Sequence, residues 1–312
     1  MNRKTTKRAT SGLLTAAAAL LALSVNMAHA AEAESFTPPA PDTIPKNEFG
    51  DMVRTGQDYF LHTSKLLPDN VGNSLNCVNC HLDAGRRADS APMWGAYVVY
   101  PAYRAKNGHV NSLSERLQGC FRFSMNGKAP AADSKAILAI TTYMYWLATK
   151  APTGVKLAGQ GYKKLAKPEQ KMDLERGKQV FMANCAVCHG ENGEGRKTAG
   201  KTVFPALWGD DSFNWGAGMH QIPNAAGFIK SNMPLGNPGT LTDQQAWDVA
   251  YFMNSHERPQ DPRFTVDVET TRKKYHDGGD NLYGQTINGV LLGEHSVAPG
   301  GRLKKSTEKS GD

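Results

Sequence analysis

The sequence predicts an all-α chain of two tandem domains behind a removable leader. Three observations carry this. A Cys-x-x-Cys-His pattern occurs at residues 77–81 and again at 185–189. Helical apolar periodicity brackets both copies. The chain is 312 residues long, 40% hydrophobic and 21% charged. That leaves room for about two cores and excludes a disordered, collagen-like or polytopic membrane protein.

Residues 1–30 read as an export signal. Arg3, Lys4, Lys7 and Arg8 form a basic start, residues 13–25 are apolar, and Ala28-His29-Ala30 is a small-x-small cleavage site. The apolar run is shorter than the ~20 residues that span a bilayer. The expectation is a bacterial periplasmic protein with no transmembrane anchor after cleavage. The formal charge of +7 raises nucleic acid as a partner. Removing the leader takes four of the 36 basic residues and none of the 29 acidic ones, leaving +3. Most of the excess is therefore targeting signal, and no nucleic-acid partner is expected.

The first domain is expected over residues 31–150. A lead-in helix covers residues 47–60, then comes Cys77-Val78-Asn79-Cys80-His81, then a strongly apolar helix over 134–148. In this pattern two thiols form thioethers to haem vinyl groups, and the next residue supplies the proximal iron ligand. A lone Cys-x-x-Cys also fits a redox dithiol or half a zinc site. Two copies ending in His, behind an export signal, point to two covalently bound haem c groups. The attachment residues are Cys77, Cys80 and His81 for the first haem and Cys185, Cys188 and His189 for the second. The domains are thus expected to be cytochrome c-like. Trp94, Trp208 and Trp215 read as core or as haem-pocket lining, core being the plainer choice.

A linker over 151–171 is marked by Pro152, Gly154, Gly159, Gly161 and Pro168. The second domain follows over 172–257. Residues 174–181 form an amphipathic lead-in helix in which Gly177 permits close packing, and residues 190–200 are a Gly-rich loop. Thr242 caps a closing helix that runs through Met253. Between them, Met233-Pro234 lies where small cytochromes c place a distal thioether ligand, with Met219 and His220 as competitors. Residues 258–312 lack clear periodicity and are expected to wrap the surface, partly disordered, most of all in the last dozen.

Cys120 is the odd cysteine and stands where a distal ligand to the first haem is expected. Several bland roles remain open. It fits a small buried residue, half an intermolecular disulfide, a surface thiol, or a neighbour of a haem ligated by Met125 or His109. Against these, Arg116, Arg122 and Lys128 lie close in sequence and favour a thiolate. In a helix, Arg116, Cys120 and Ser124 share a face. A cation, a soft sulfur and a hydroxyl on one face suit chemistry on a sulfur-containing anion, and a thiolate ligand pulls a haem potential down.

At this point the chain resembles the thiosulfate dehydrogenase/tetrathionate reductase family of dihaem cytochromes c. The resemblance rests on the two Cys-x-x-Cys-His motifs, on Gly-Cys-Phe-Arg-Phe-Ser-Met-Asn-Gly at 119–127 and on Asn-Met-Pro-Leu-Gly at 232–236. It implies an oxidoreductase that reversibly couples two thiosulfates into tetrathionate. The first haem, with His81 and Cys120 as axial ligands, would be the active site. The second, with His189 and Met233, would exchange electrons with a small c-type cytochrome or another periplasmic carrier. Arg116 and Ser124 match the family's pocket residues. The family also places a basic residue ahead of that helix, where this chain offers Arg104 and Lys106. Some relatives carry a Lys before the distal Met that can replace it. Here that position is Asn232 and the nearest lysine is Lys230, which implies a lasting His/Met pair.

Three rival readings are defined by what they need. A non-catalytic dihaem electron carrier would have Met or His on the first haem and no turnover. A haem-thiolate enzyme that conjugates thiosulfate to a carrier protein would make no free tetrathionate. A dihaem peroxidase would need an acidic calcium site, and the sequence shows no convincing acidic cluster.

Overall fold

A computed structural model describes Met1 and residues 35–199, 201–278 and 280–294. The expected leader and the last dozen residues lie outside the described residues. Two helix pairs organise the chain. In the first, α1 (Glu48–Leu61) starts at Asn47, whose side chain accepts from the Gly50 N–H. It packs on a helix over Lys135–Leu147 that is capped by Ser134. In the second, a helix over Leu174–Asn184 starts at Asp173. It packs on Asp243–Asn254, which Thr242 and Gln245 close with a reciprocal capping box. Each such cap contributes ~1 kcal/mol. With the short helix Leu113–Gly119 and Ile222–Asn232, the chain order is α1, α2 (113–119), α3 (135–147), α4 (174–184), α5 (222–232) and α6 (243–254).

The two pairs cross in the same way. A Cβ on Gly56 of α1 would lie 2.0 Å from the Ala139 carbonyl oxygen of α3. A Cβ on Gly177 of α4 would lie 2.2 Å from the Asp248 carbonyl oxygen of α6. Only glycine lets the backbones approach this closely. Around the first crossing Val53, Phe60, Ile137, Ile140 and Tyr143 are buried, and around the second Phe181, Val249 and Ala250. Trp94, Trp208 and Trp215 are all buried in the core.

Among the described residues the fold is helical, with three small antiparallel hairpins that the sequence did not announce. These are β1–β2 (Ala102–Arg104 with His109–Asn111), β3–β4 (Arg196–Thr198 with Lys201–Phe204) and β5–β6 (Thr286–Ile287 with Val290–Leu291). The second occupies part of the Gly-rich stretch. Each is too short for a period-two pattern to emerge.

The stretch after residue 257 is a packed segment through residue 294. Arg258, Asp261, His276, Asn281 and Tyr283 are buried. A helix, α7 (Val268–Tyr275), is capped by Asp267. Arg258 lies 4.2 Å from the Phe213 ring centroid and donates to the Leu207 and Met253 carbonyls. Polar contacts hold this segment in place, and these leave no apolar repeat to read.

Side chains also tie the two helix pairs together. Asp211 accepts from the Ser74 N–H (2.8 Å) and hydroxyl (2.7 Å). Asn214 donates to the Arg122 carbonyl (2.8 Å) and to Asn126 Oδ1 (3.0 Å). Asn232 donates to the Asp89 and Phe228 carbonyls.

Candidate active site

A cavity of about 360 Å³ opens in the first helix pair, with Cys77, Cys80, His81, Arg116, Cys120 and Ser124 on its walls. His81 follows a short 3-10 turn, Cys77–Asn79, closed by Asn76 and Asn79. Its Nδ1 bonds the Ala91 carbonyl at 2.7 Å, which fixes the ring and leaves Nε2 to bind. The second motif repeats the device: His189 Nδ1 bonds the Pro205 carbonyl at 2.9 Å. No disulfide joins any of the five cysteines. Paired thiols beside a His anchored through Nδ1, in both motifs, fit covalent haem c.

Cys120 is positioned by α2, whose N-terminus Ser112 caps by accepting from the Glu115 N–H. The helix does not continue regularly. Residues Cys120–Ser124 form a π-helical turn, with the Met125 N–H reaching the Cys120 carbonyl at 3.0 Å. Such widened turns recur at functional sites. Arg116 Nη1 donates to Cys120 Sγ at 2.9 Å. Burial pushes the Cys120 thiol up, but the Arg116 guanidinium and the facing His81 ring outweigh it and bring it down to about 6. The sulfur is thus a thiolate at neutral pH. Ser124 shares the cavity wall, one turn on.

The structure separates the two basic residues ahead of α2. Arg104, on β1, lines the cavity and donates to the Tyr100 hydroxyl at 2.9 Å. Lys106 points elsewhere: its Nζ donates to the Gly216 carbonyl at 2.5 Å and sits 3.7 Å from the Phe123 ring centroid. Burial, with Arg263 nearby, lowers the Lys106 pKa to about 7. Of the alternative ligands, Met125 is buried on the cavity wall, while His109 is exposed and paired with Glu115 at 2.7 Å. Arg86 spends its guanidinium on the Pro38 and Pro39 carbonyls.

At the second site Met233 ends α5, half-buried against the core. His220 is engaged at both ring nitrogens, and Met219 lines the first cavity. Lys230 donates to the Leu241 carbonyl at 2.5 Å. Sequence reasoning missed Tyr100, Gln160, Tyr162 and Asn224 on the first cavity's wall. Gln160 and Tyr162 come from the linker and Asn224 from the second domain, so no local pattern marks them.

Residues 174–257 match the cytochrome c family, and residues 69–152 match the SoxA/TsdA cytochrome c domain. A thiosulfate dehydrogenase of Stutzerimonas stutzeri (strain A1501) is 56% identical over 261 residues, covering 83% of this chain and 85% of the relative. The chain belongs to the thiosulfate dehydrogenase family. A second thiosulfate dehydrogenase, from Thiomonas intermedia (strain K12), is 56% identical over 259 residues, 83% of this chain and 82% of its own. Among solved structures, the thiosulfate dehydrogenase (TsdBA) of Marichromatium purpuratum superposes with a TM-score of 0.81 at 46% identity. It covers 84% of this chain, which in turn spans 58% of that longer one. As a dihaem member of the family the chain carries two covalently bound haem c groups. No helix among the described residues is long and apolar enough to cross a membrane.

Proposed function

We propose that this chain oxidises two thiosulfates to tetrathionate, and reduces tetrathionate in reverse, with Cys120 as the sulfur-bearing residue. The observation that carries this is the Arg116–Cys120 contact of 2.9 Å, with the His81 ring against the same sulfur. It presents a thiolate beside a cation on the cavity wall. Arg104 at the same cavity adds a second fork for sulfonate oxygens, and Ser124 adds a hydroxyl.

The chemistry balances on Cys120 alone. The thiolate and the outer sulfur of one thiosulfate form an S–S bond, giving a cysteinyl S-thiosulfonate and releasing two electrons. The outer sulfur of a second thiosulfate then attacks the sulfur bonded to Cys120. This expels the thiolate, as in disulfide exchange, and yields tetrathionate. No proton is gained or lost. The haems, when bound, supply one-electron sinks for the two electrons. Arg116 holds the leaving and returning thiolate in its charged form, and Arg104 offsets the repulsion between two dianions. His81 and Cys120 would hold the iron of the first haem, and His189 and Met233 that of the second. Residues 1–30 are assigned as the signal that sends the chain to the periplasm, where a small c-type cytochrome or similar carrier exchanges electrons with the second haem.

A paired assay tests this: thiosulfate with an electron acceptor, and tetrathionate with a reduced donor. The wild type is expected to turn over in both. Cys120→Gly, still carrying two haems by spectroscopic count, is expected to lose both activities. Full activity in that variant would sink the proposal. Thiosulfate consumption without free tetrathionate would instead favour conjugation to a carrier protein.

A further inference from the structure

The packed C-terminal segment brings a buried Asp–His–His chain up behind the first cavity. The Asp261 carboxylate accepts from Arg263 Nη2 (2.6 Å), Nε (2.9 Å) and backbone N–H (2.9 Å), and from His276 Nε2 (2.9 Å). His276 Nδ1 meets His220 Nε2 at 3.1 Å, and His220 Nδ1 bonds the Ala217 carbonyl. His220 ends the 3-10 turn Gly218–His220, whose Gly218 and Met219 line the cavity. Two residues earlier, Gly216 takes Lys106 on its carbonyl, and a Cβ there would lie 2.4 Å from Phe123 and 3.2 Å from Asp261 Oδ1. Phe123 belongs to the π-helical turn that carries Cys120, and Arg263 lies 5.2 Å from its ring centroid.

Matching donors to acceptors assigns the protons. His220 Nδ1–H donates to Ala217, so its Nε2 is an acceptor, approached also by Gln221 Nε2 at 2.8 Å. A bond between the two rings then needs His276 to donate through both nitrogens, to Asp261 and to His220, which takes one proton more than two neutral rings hold. Burial lowers the pKa of both rings, well below the ordinary value at His220, against the support of the Asp261 carboxylate at His276, so the pair carries that proton only in acid. The other groups facing the pair are Lys106, Arg263 and Arg258, with the Tyr283 ring stacked on His276 at 4.3 Å.

We propose that Asp261, His276 and His220 are positioning residues for the first cavity: they hold the 216–220 wall and, through Gly216, Lys106 and Phe123, the turn that bears Cys120. A wall segment with glycines at 216 and 218 has little stiffness of its own, and this chain supplies it from outside. When the shared proton is lost, two lone pairs face each other and the wall loosens, so the grip on thiosulfate weakens as pH rises.

The inference rests on the thiosulfate reading of the site. Its test uses the holoprotein and two variants, His276→Gln and Asp261→Asn. KM and kcat for thiosulfate are measured across pH, together with thiosulfate binding by absorbance titration of the oxidised protein without acceptor. In the wild type KM should rise with pH. Each variant should raise KM and weaken binding about tenfold at acid pH, change kcat less than about twofold, and flatten the pH profile. Variants whose KM, binding and pH profile match the wild type overturn the inference, as does a loss confined to kcat. A wild type that neither binds nor oxidises thiosulfate overturns the site reading and this inference together.

Discussion

At the scale of single residues, the contact between Arg116 and Cys120 carries most of the chemistry. A hydrogen bond between charged partners is worth ~1.5–3 kcal/mol, so Arg116→Ala should lower thiosulfate oxidation ~10- to 100-fold. The pH dependence follows from the thiolate. Its folded-state pKa, about 6, lies below the ordinary thiol value. The reactive form is therefore full above that pH and lost as pH falls through it. Initial rates against pH should show an acid limb near 6 in the wild type. The limb should move upward in Arg116→Ala, because the cation that outweighs burial is gone. An unmoved limb would mean another group controls it. Arg116, Cys120 and Ser124 were legible in the sequence because helical spacing puts them on one face. Lys106 against Arg104 was not, since Arg104 ends strand β1 while Lys106 lies in the turn that follows, where strand alternation no longer sets which way a side chain points.

At the scale of elements, the helix crossings are the most readable part of the chain. Caps at Asn47, Ser134, Asp173 and Thr242 fall where Ser, Thr, Asn and Asp precede apolar periodicity. Gly177 showed in advance that a close neighbour was coming. Replacing it sets two effects against each other. A helix gains up to ~1 kcal/mol from losing a glycine, but a side chain meeting backbone at 2.2 Å forces α4 and α6 apart at a cost of ~1–3 kcal/mol or more. Gly177→Val should therefore lower the melting temperature by several degrees, about 2–8 °C. Calorimetry showing no loss would mean the crossing tolerates a wider gap. The hairpins and the π-helical turn were hidden because each strand, and the turn itself, spans five residues or fewer, too short to show its own period.

At the scale of the whole molecule, the two helix pairs belong to a single compact unit. Asn214 is buried and bonded to Arg122, Asn126 and Gly216. Asn214→Ala strips those partners of a donor or acceptor, at ~1–3 kcal/mol per buried group. Chemical denaturation should give one transition with a lower midpoint. Two separated transitions in the wild type would contradict the single unit. None of this long-range wiring was legible, because Arg122 and Asn214 are 92 residues apart in the chain and neither sits in a repeating pattern.

The missing Cβ at Gly216 reaches beyond stability. Phe123 fills the space that any side chain at 216 would need. A change at either position is thus admissible in a lineage only if the other has already made room. The stretches 122–126 and 214–216 must be inherited as a pair. Chimeras joining the first half of one relative to the second half of another should fail wherever the join separates mismatched versions of these two short stretches, however similar the remaining sequence is.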